Sequence, residues 1–344
     1  MEKPIYLTCL GLICAVGLEP ESAAAAMRAR IDAFSELPYA DNSGERIIGA
    51  VVPDMPEKLG RRKRLIELLA RSHEYIEHTW PYELSTNDIP FILCTRGSVN
   101  PQDADDDILH DIESRLQLKL RMGDSTRFNS GSVAAFDALA QARRLFAESE
   151  ADVCLIAAVD TLVDAGSLMQ LDDARRLKTA QQTDGIIPGE AACVVLASSK
   201  PMTATYVVVH GLGTGNETAT VLNDEPLLGK GMSAAIKRAL DESGLDMHDV
   251  DFRLSDVAGE SFAFEELVLA QTRLTRKPRE SQVLWHHADC IGDCGAANGL
   301  IQLSWAEQAF ARGYAPGPIA LSCASEPQGA RAAAVVGAPD RTSG

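Results

Sequence analysis

Positive charge is in short supply in this chain. Over 344 residues it carries 32 Lys and Arg against 49 Asp and Glu, a formal net charge of −17 with histidine neutral. A duplex DNA or RNA binder needs a basic surface to displace counterions, so the balance argues against that class. It argues equally against docking on anionic lipid. Long hydrophobic runs are also missing, and none approaches the roughly 20 apolar residues of a spanning helix. The opening Met1-Glu2-Lys3-Pro4 lacks the charged-then-apolar plan of a signal peptide. These absences point to a cytoplasmic chain that binds neither nucleic acid nor membrane.

No CxxC pair occurs among the eight cysteines. Five of them (Cys9, Cys94, Cys154, Cys193 and Cys323) sit inside short apolar runs that read as buried strands. A free cysteine there behaves as a small hydrophobe, and no disulfide framework is expected in a reducing compartment. What is present is a mix of 46% hydrophobic and 24% charged residues, suited to a soluble globular chain long enough for two domains or one large duplicated one.

Short apolar runs alternate with longer helical patterns. Strands are expected over 5–15, 91–95, 153–159, 191–197, 206–213, 252–257, 319–324 and 332–336. Helices are expected over 20–31, 61–77, 103–120, 130–147, 230–243, 260–273 and 295–312. Pro20 suits the first turn of its helix, where its missing N–H goes unneeded. Asp103, Asp105, Asp106 and Asp107 suit the positive end of the 103–120 helix dipole. Such alternation implies an α/β fold with well-buried sheets.

The chain also echoes itself. Tyr6-Leu7-Thr8-Cys9-Leu10-Gly11-Leu12 opens one part and Tyr206-Val207-Val208-Val209-His210-Gly211-Leu212-Gly213 the other. Each part ends in two apolar strands. A duplication with its seam near 199–203 would divide the chain into halves 1–200 and 201–344.

Four segments, in order, resemble the β-ketoacyl synthases. Thr8 to Glu21, TCLGLICAVGLEPE, resembles their opening strand. Ala151-Asp152-Val153-Cys154-Leu155-Ile156-Ala157-Ala158-Val159-Asp160 resembles the strand after their nucleophile helix. Asp184-Gly185-Ile186-Ile187-Pro188-Gly189-Glu190-Ala191-Ala192 resembles their DGF-x-x-GEGA turn, which makes Glu190 structural. Gly292-Asp293-Cys294-Gly295-Ala296-Ala297 resembles the GH-x-x-GAAG segment near their second histidine. The resemblance implies the thiolase fold: duplicated βαβαβαββ halves in five α-β-α-β-α layers, usually a dimer.

The family's chemistry uses a cysteine at the N-terminus of a buried helix, where dipole and backbone N–H groups favour the thiolate. That thiolate takes an acyl group from a carrier thioester, and two histidines stabilise the enolate formed by decarboxylation. This sequence departs at each position. Counting back from Ala151 puts Ser132 where the nucleophile belongs, and no Cys occurs between Met122 and Val153. The first histidine maps to Ala258 and the second to Asp289, while Val283-Leu284-Trp285-His286 offers no counterpart of the family's lysine. An ionised carboxylate about 4 Å from a developing enolate costs roughly 4 kcal/mol at an effective dielectric near 20. That is about a thousandfold in rate, so ordinary condensation is not expected.

The leading expectation is a synthase-like protein that has lost decarboxylative condensation. It would act as an accessory or adaptor subunit or an acyl-binding scaffold, as chain-length factors do. Synthase-like proteins of bacterial secretion or biosynthetic gene clusters are another kind of relative. Its expected partners are a second copy or a homologue, with an acyl carrier protein or protein client. No cofactor is called for. The alternative is an acyltransferase with Ser132 as nucleophile and His286 or His287 as base, the helix N-terminus forming the oxyanion hole. The candidate catalytic residues are thus Ser132, His287 and Asp289.

Plainer roles stand beside these. Ser132 suits a helix start. His286, His287, Asp289, Cys290, Asp293 and Cys294 are crowded, and Cys290 and Cys294 have i, i+4 spacing, but one short run rarely supplies a four-ligand zinc site. No metal is expected. Arg61-Arg62-Lys63-Arg64 reads as a solvated helix face or, more sharply, as a docking patch for an acidic carrier. Gly211, Gly213 and Gly215 lack dinucleotide-fingerprint spacing.

Overall fold

A computed structural model of the chain describes residues 4–56, 59–81, 87–97, 108–116, 119–121, 126–148, 151–277 and 282–339. In chain order the first elements are β1 (Ile5–Cys14), α1 (Pro20–Ala29), β2 (Phe34–Ala40), β3 (Arg46–Ala50), α2 (Arg61–Thr79), β4 (Asn87–Ile89) and β5 (Phe91–Cys94). Then come α3 (Ile108–Leu116), β6 (Lys119–Leu120), β7 (Thr126–Phe128), α4 (Ala134–Ala147), β8 (Val153–Thr161), α5 (Ala165–Asp173) and β9 (Glu190–Ser198). The remainder is β10 (Val207–Asn216), α6 (Lys230–Ser243), β11 (Phe252–Ser255), α7 (Ser261–Leu274), β12 (Val283–His286), α8 (Ala288–Ile291), α9 (Asn298–Ala311), β13 (Ile319–Ser325) and β14 (Ala330–Gly337).

Ten strands run in the order β12-β11-β13-β14-β10-β1-β9-β8-β5-β7. Outward from β1, the steps to β9 and β8 are antiparallel and those to β5 and β7 parallel. Outward from β10, the steps to β14 and β13 are antiparallel and those to β11 and β12 parallel. The two five-strand groups therefore share one plan. They join where Ile5, Tyr6 and Leu7 pair with Val209, Val208 and Val207. The opening segments that echo each other in sequence are these two joining strands.

Side-chain alternation along the strands creates the layers. In β9, Ala191, Cys193, Val195 and Ala197 enter a central core. Their neighbours Ala192, Val194 and Leu196 enter an outer core with Leu65, Leu68 and Leu69 of α2 and Ile108 and Ile112 of α3. In β14, Ala332, Ala334 and Val336 face the central core. Ala333 and Val335 face a third core with Ile236 and Leu240 of α6 and Leu267 of α7. A strand with both faces covered can be apolar throughout, which is why these runs lack polar alternation. Small-residue helix α4 and the almost wholly buried α9 fill the central layer. The result is helix, sheet, helix, sheet, helix.

Two sequence expectations need correction. The helix expected over 103–120 spans Ile108–Leu116, and Lys119–Leu120 instead pairs in parallel with the Asn87–Ile89 strand. Its expected acidic opening, Asp103 and Asp105 to Asp107, lies outside the described residues. The Arg61–Arg64 cluster is not a solvated face, because its first and last members are buried in ion pairs. Arg61 reaches Asp160 at 2.5 Å, and Arg64 grips both oxygens of Glu190 at 2.5 and 2.8 Å. Arg62 pairs with Asp111, leaving Lys63 as the exposed member. Two buried carboxylates at the ends of β8 and β9 demand cations, and the first turn of α2 supplies them.

Gly211, Gly213 and Gly215 also find a role. A Cβ on any of them would collide with α6 backbone, at Ala239, Ala235 and Gly231 respectively. The three glycines are the flat face on which α6 lies. Among the described residues no helix is long and apolar enough to cross a membrane.

Candidate functional site

Two tight turns meet at the centre of the molecule. Gly131–Val133 is a single 3-10 turn that runs into α4, and Gly295–Ala297 is its counterpart before α9. Both begin with a glycine in the left-handed region, φ +55° at Gly131 and +53° at Gly295. No side chain fits at either, because a carboxylate stands where the Cβ would go: Glu326 at Gly131 and Asp160 at Gly295. Free N–H groups and the positive dipole end make a helix start a natural carboxylate site. The Ser132 N–H donates to Glu326 Oε1 at 2.5 Å, and the Ala296 N–H donates to Asp160 Oδ2 at 3.0 Å.

Three carboxyl groups here differ in charge state. Burial alone would raise the Asp160 carboxyl, but the Arg61 and Arg96 charges and the Ala296 N–H hold it below the ordinary range. Burial pushes Glu326 up to about 7; the Ser132 N–H opposes this, and nearby Asp293 and Asp160 add to it. Burial pushes Asp256 up to about 8, although the Ser325 N–H donates to it at 2.8 Å.

The Asn298 amide organises the other side of Ser132. Its Nδ2 donates to Ser132 Oγ at 3.3 Å and to Asp293 Oδ1 at 2.8 Å. Its Oδ1 accepts the Cys294 N–H at 3.1 Å and lies 2.8 Å from His287 Nε2. With the amide oxygen already an acceptor, the His287 Nε2 carries the proton. Burial brings this imidazole down to about 4, so it is neutral at physiological pH. The Ser132 hydroxyl donates to the Gly295 carbonyl at 3.3 Å.

A cavity of about 500 Å³ opens beside these groups. Ser132 and Ala258 line it, with Arg96, Arg176, Asp256, Asp293 and Glu326. His287 is buried behind Asn298 and reaches Ser132 only through that amide. Asp289 is not brought to Ser132. Its largely exposed carboxylate lies 3.4 Å from His286 Nδ1, in a separate small cleft with Trp285 and Tyr314. The carboxylate that enters the cavity from this segment is Asp293, four positions on. After α8 the chain turns at Gly292, φ +68°. Asp293 then docks on the turn before β9: its N–H donates to Ile187 O and its own carbonyl accepts the Gly189 N–H, both at 2.8 Å. A gap-free count along the sequence does not see that docking.

Asp256, Asn298 and Glu326 are not among the candidates the sequence offers, and Asp293 stands there only as a member of the motif and of the crowded run that ends at Cys294. Asp293 and Asn298 had a signal, since they flank the Gly295-Ala296-Ala297 motif. Asp256 sits two positions before Ala258. Glu326 had none, as a carboxylate on the short β13–β14 connection looks like any surface turn. Cys290 and Cys294 are both buried, and burial pushes the Cys290 thiol up to about 11. Among the described residues no group of three or more His, Cys, Asp or Glu can hold a metal ion.

Chemically the cavity is rich in carboxyl groups, and its donors include the two engaged arginines, Arg96 and Arg176, and the Asp256 carboxyl, which burial keeps protonated at neutral pH. A negative charge developing about 4 Å from an ionised carboxylate there costs roughly 4 kcal/mol at an effective dielectric near 20. Neither contact of the Ser132 hydroxyl, a carbonyl or an amide NH₂, takes up a proton.

No protein-family model and no curated protein matches the chain. Solved structures do. A ketosynthase in complex with its chain length factor from Xenorhabdus doucetiae aligns at TM-score 0.77 and 15% identity, covering 98% of each chain. The ishigamide ketosynthase/chain length factor aligns at TM-score 0.71 and 20% identity, over 98% of this chain and 99% of that one. A type II polyketide ketosynthase in complex with its acyl-carrier protein aligns at TM-score 0.80 and 13% identity, over 98% and 100%. At these identities the likeness is one of fold: the chain has the thiolase-type fold of ketosynthases.

Proposed function

We propose that this chain is a ketosynthase-like scaffold that binds acyl groups or partner proteins without carrying out decarboxylative condensation. The observation that carries this reading is the setting of Ser132, whose hydroxyl meets the Gly295 carbonyl and the Asn298 amide instead of a base. Ala258 and Asp293 at the cavity add to it, because neither can donate to a developing enolate. The solved ketosynthases of like fold include complexes with a chain length factor and with an acyl-carrier protein. By analogy the proposed partners are a second thiolase-fold subunit, identical or homologous, and an acyl carrier. The role is that of an accessory subunit in a biosynthetic assembly.

The test is intact mass after incubation with octanoyl- and malonyl-loaded carrier protein, with an active ketosynthase and the Ser132→Ala variant alongside. The expected result is an unchanged mass and no decarboxylation under conditions that acylate the active enzyme. Light scattering of the same sample is expected to give a dimer. A mass gain of one octanoyl group that Ser132→Ala abolishes would overturn the reading in favour of acyl transfer through Ser132.

A further inference from the structure

The two helix-start turns are capped alike and held differently. Each takes its carboxylate from the far end of the opposite group's strand: Asp160 from β8 serves the α9 turn, and Glu326, directly after β13, serves the α4 turn. Asp160 is clamped. Arg61 Nη2 sits 2.5 Å from its Oδ1 and Arg96 Nε 3.5 Å from its Oδ2. Glu326 has a different setting. Arg331 donates to its backbone carbonyl at 2.7 Å, fixing the turn but leaving the carboxylate to the Ser132 N–H.

The groups facing Glu326 come from every side of the cavity. Asp293 precedes the α9 turn, Asp160 ends β8 and Asp256 follows β11. Arg96 follows β5 and Arg176 follows α5. Both arginines are committed elsewhere, Arg96 to Asp160 and Ser167, and Arg176 to Glu260 through two bonds of 2.7 and 2.6 Å. Three acids and two engaged cations leave the carboxylate without a clamp of its own.

We propose that Glu326 is a specificity-determining gate: its carboxylate is a resident ligand of the Ser132 N–H, and an external acyl oxygen, from a carboxylate or a thioester carbonyl, reaches that donor only when Glu326 is neutralised or swings aside. The gate deepens the acyl-binding role proposed above and rests on it for its physiological ligand. Only a side chain has to move. The turn backbone is pinned by Glu326 N–H to Ala330 O at 2.9 Å and Gly329 N–H to Glu326 O at 3.0 Å. Protonation favours opening, because a charge-assisted hydrogen bond is roughly twice as strong as a neutral one. The ligand oxygen therefore competes better below pH 7 than above it, the direction set by the raised carboxyl of Glu326.

The experiment follows the Ser132 amide in protein labelled with [15N]serine, its resonance assigned by its loss in Ser132→Ala. In the wild type the resonance is expected to move with a midpoint near pH 7, and Glu326→Gln, which keeps the side chain's shape, is expected to remove that step. Glu326→Gly opens a space of carboxylate size, so acetate at pH 8 is expected to shift the resonance in this variant and leave the wild type unmoved. Equal acetate shifts in both, or none in either, would overturn the gate. Octanoyl-pantetheine is the second probe, expected to bind Glu326→Gly at least tenfold more tightly than wild type at pH 8. An acetate response in Glu326→Gly without thioester binding would uphold the gate and reject the acyl-binding role.

Discussion

His287 Nε2 lies 2.8 Å from the Asn298 amide oxygen, and that contact separates the imidazole from Ser132. The amide stands between a candidate base and a candidate nucleophile and serves both as a hydrogen-bond partner. It also ties down the Cys294 N–H and the Asp293 carboxylate. A residue that pairs with four groups, three of them buried, is a structural keystone of the site.

Asn298→Ala should therefore destabilise the protein strongly. Leaving buried donors and acceptors unpaired costs about 1–3 kcal/mol per group. A loss of at least about 2 kcal/mol in urea unfolding is expected on that scale. A loss under 0.5 kcal/mol would mean that the network is dispensable.

Arg64 and Lys63 should behave oppositely although they are sequence neighbours. Arg64→Ala strands the buried Glu190 carboxylate, and breaking such a pair costs about 3–5 kcal/mol. Lys63→Ala should stay within about 0.5 kcal/mol, as for most exposed positions. A carrier-docking role for the cluster would predict the reverse order of effects on carrier binding, measurable by titration calorimetry.

Asp256 sets a pH dependence of known sign. Its folded carboxyl is pushed up to about 8 by burial, so across the window from the ordinary carboxylate range to pH 8 the folded chain holds a proton that the unfolded chain has released. Stability contributed by this group is present at low pH and lost as pH rises through that window. Chemical denaturation of wild type and Asp256→Asn between pH 5 and 8.5 should show the gap closing in the variant's favour as pH rises. Parallel curves would contradict this.

His287 works in the other direction. Its folded imidazole is depressed to about 4 by burial, so as pH falls from 6.5 the unfolded chain takes up a proton that the folded one refuses. Stability should fall on acidification over that range, and His287→Gln should reduce the slope.

Thiol reactivity gives a direct check on the cores. All eight cysteines are buried, and burial pushes the Cys14 and Cys323 thiols up to about 12. A chromogenic disulfide reagent at pH 8 should modify none of them in the folded protein and all eight once guanidinium is added. A fast-reacting thiol in the native state would place a thiolate that this packing does not allow.

Much of the architecture was legible along the chain. Residues 191–197 are apolar throughout because both faces of β9 are covered, one by the central core and one by α2 and α3. Local composition carries that information, and it also placed Ser132 at a helix start and Ala258 just beyond a strand. It misread Lys119–Leu120, whose pairing partner β4 lies about thirty residues back, between Asn87 and Ile89. It also misread Arg61 and Arg64, which look solvated until β8 and β9 bring Asp160 and Glu190 to them.

The sequence by itself determined the alternation of strands and helices, the repeated opening strands and the absence of a cysteine between Met122 and Val153. Each is a property of neighbouring residues: periodicity, side-chain size and residue identity. The tertiary structure alone decided which carboxylates face Ser132. Glu326 is 194 positions away from it in sequence, and Asp293 enters the cavity because its backbone docks on Ile187 and Gly189. Hydrogen bonds over that distance depend on how two five-strand groups face each other across α4 and α9, and no local pattern encodes that meeting.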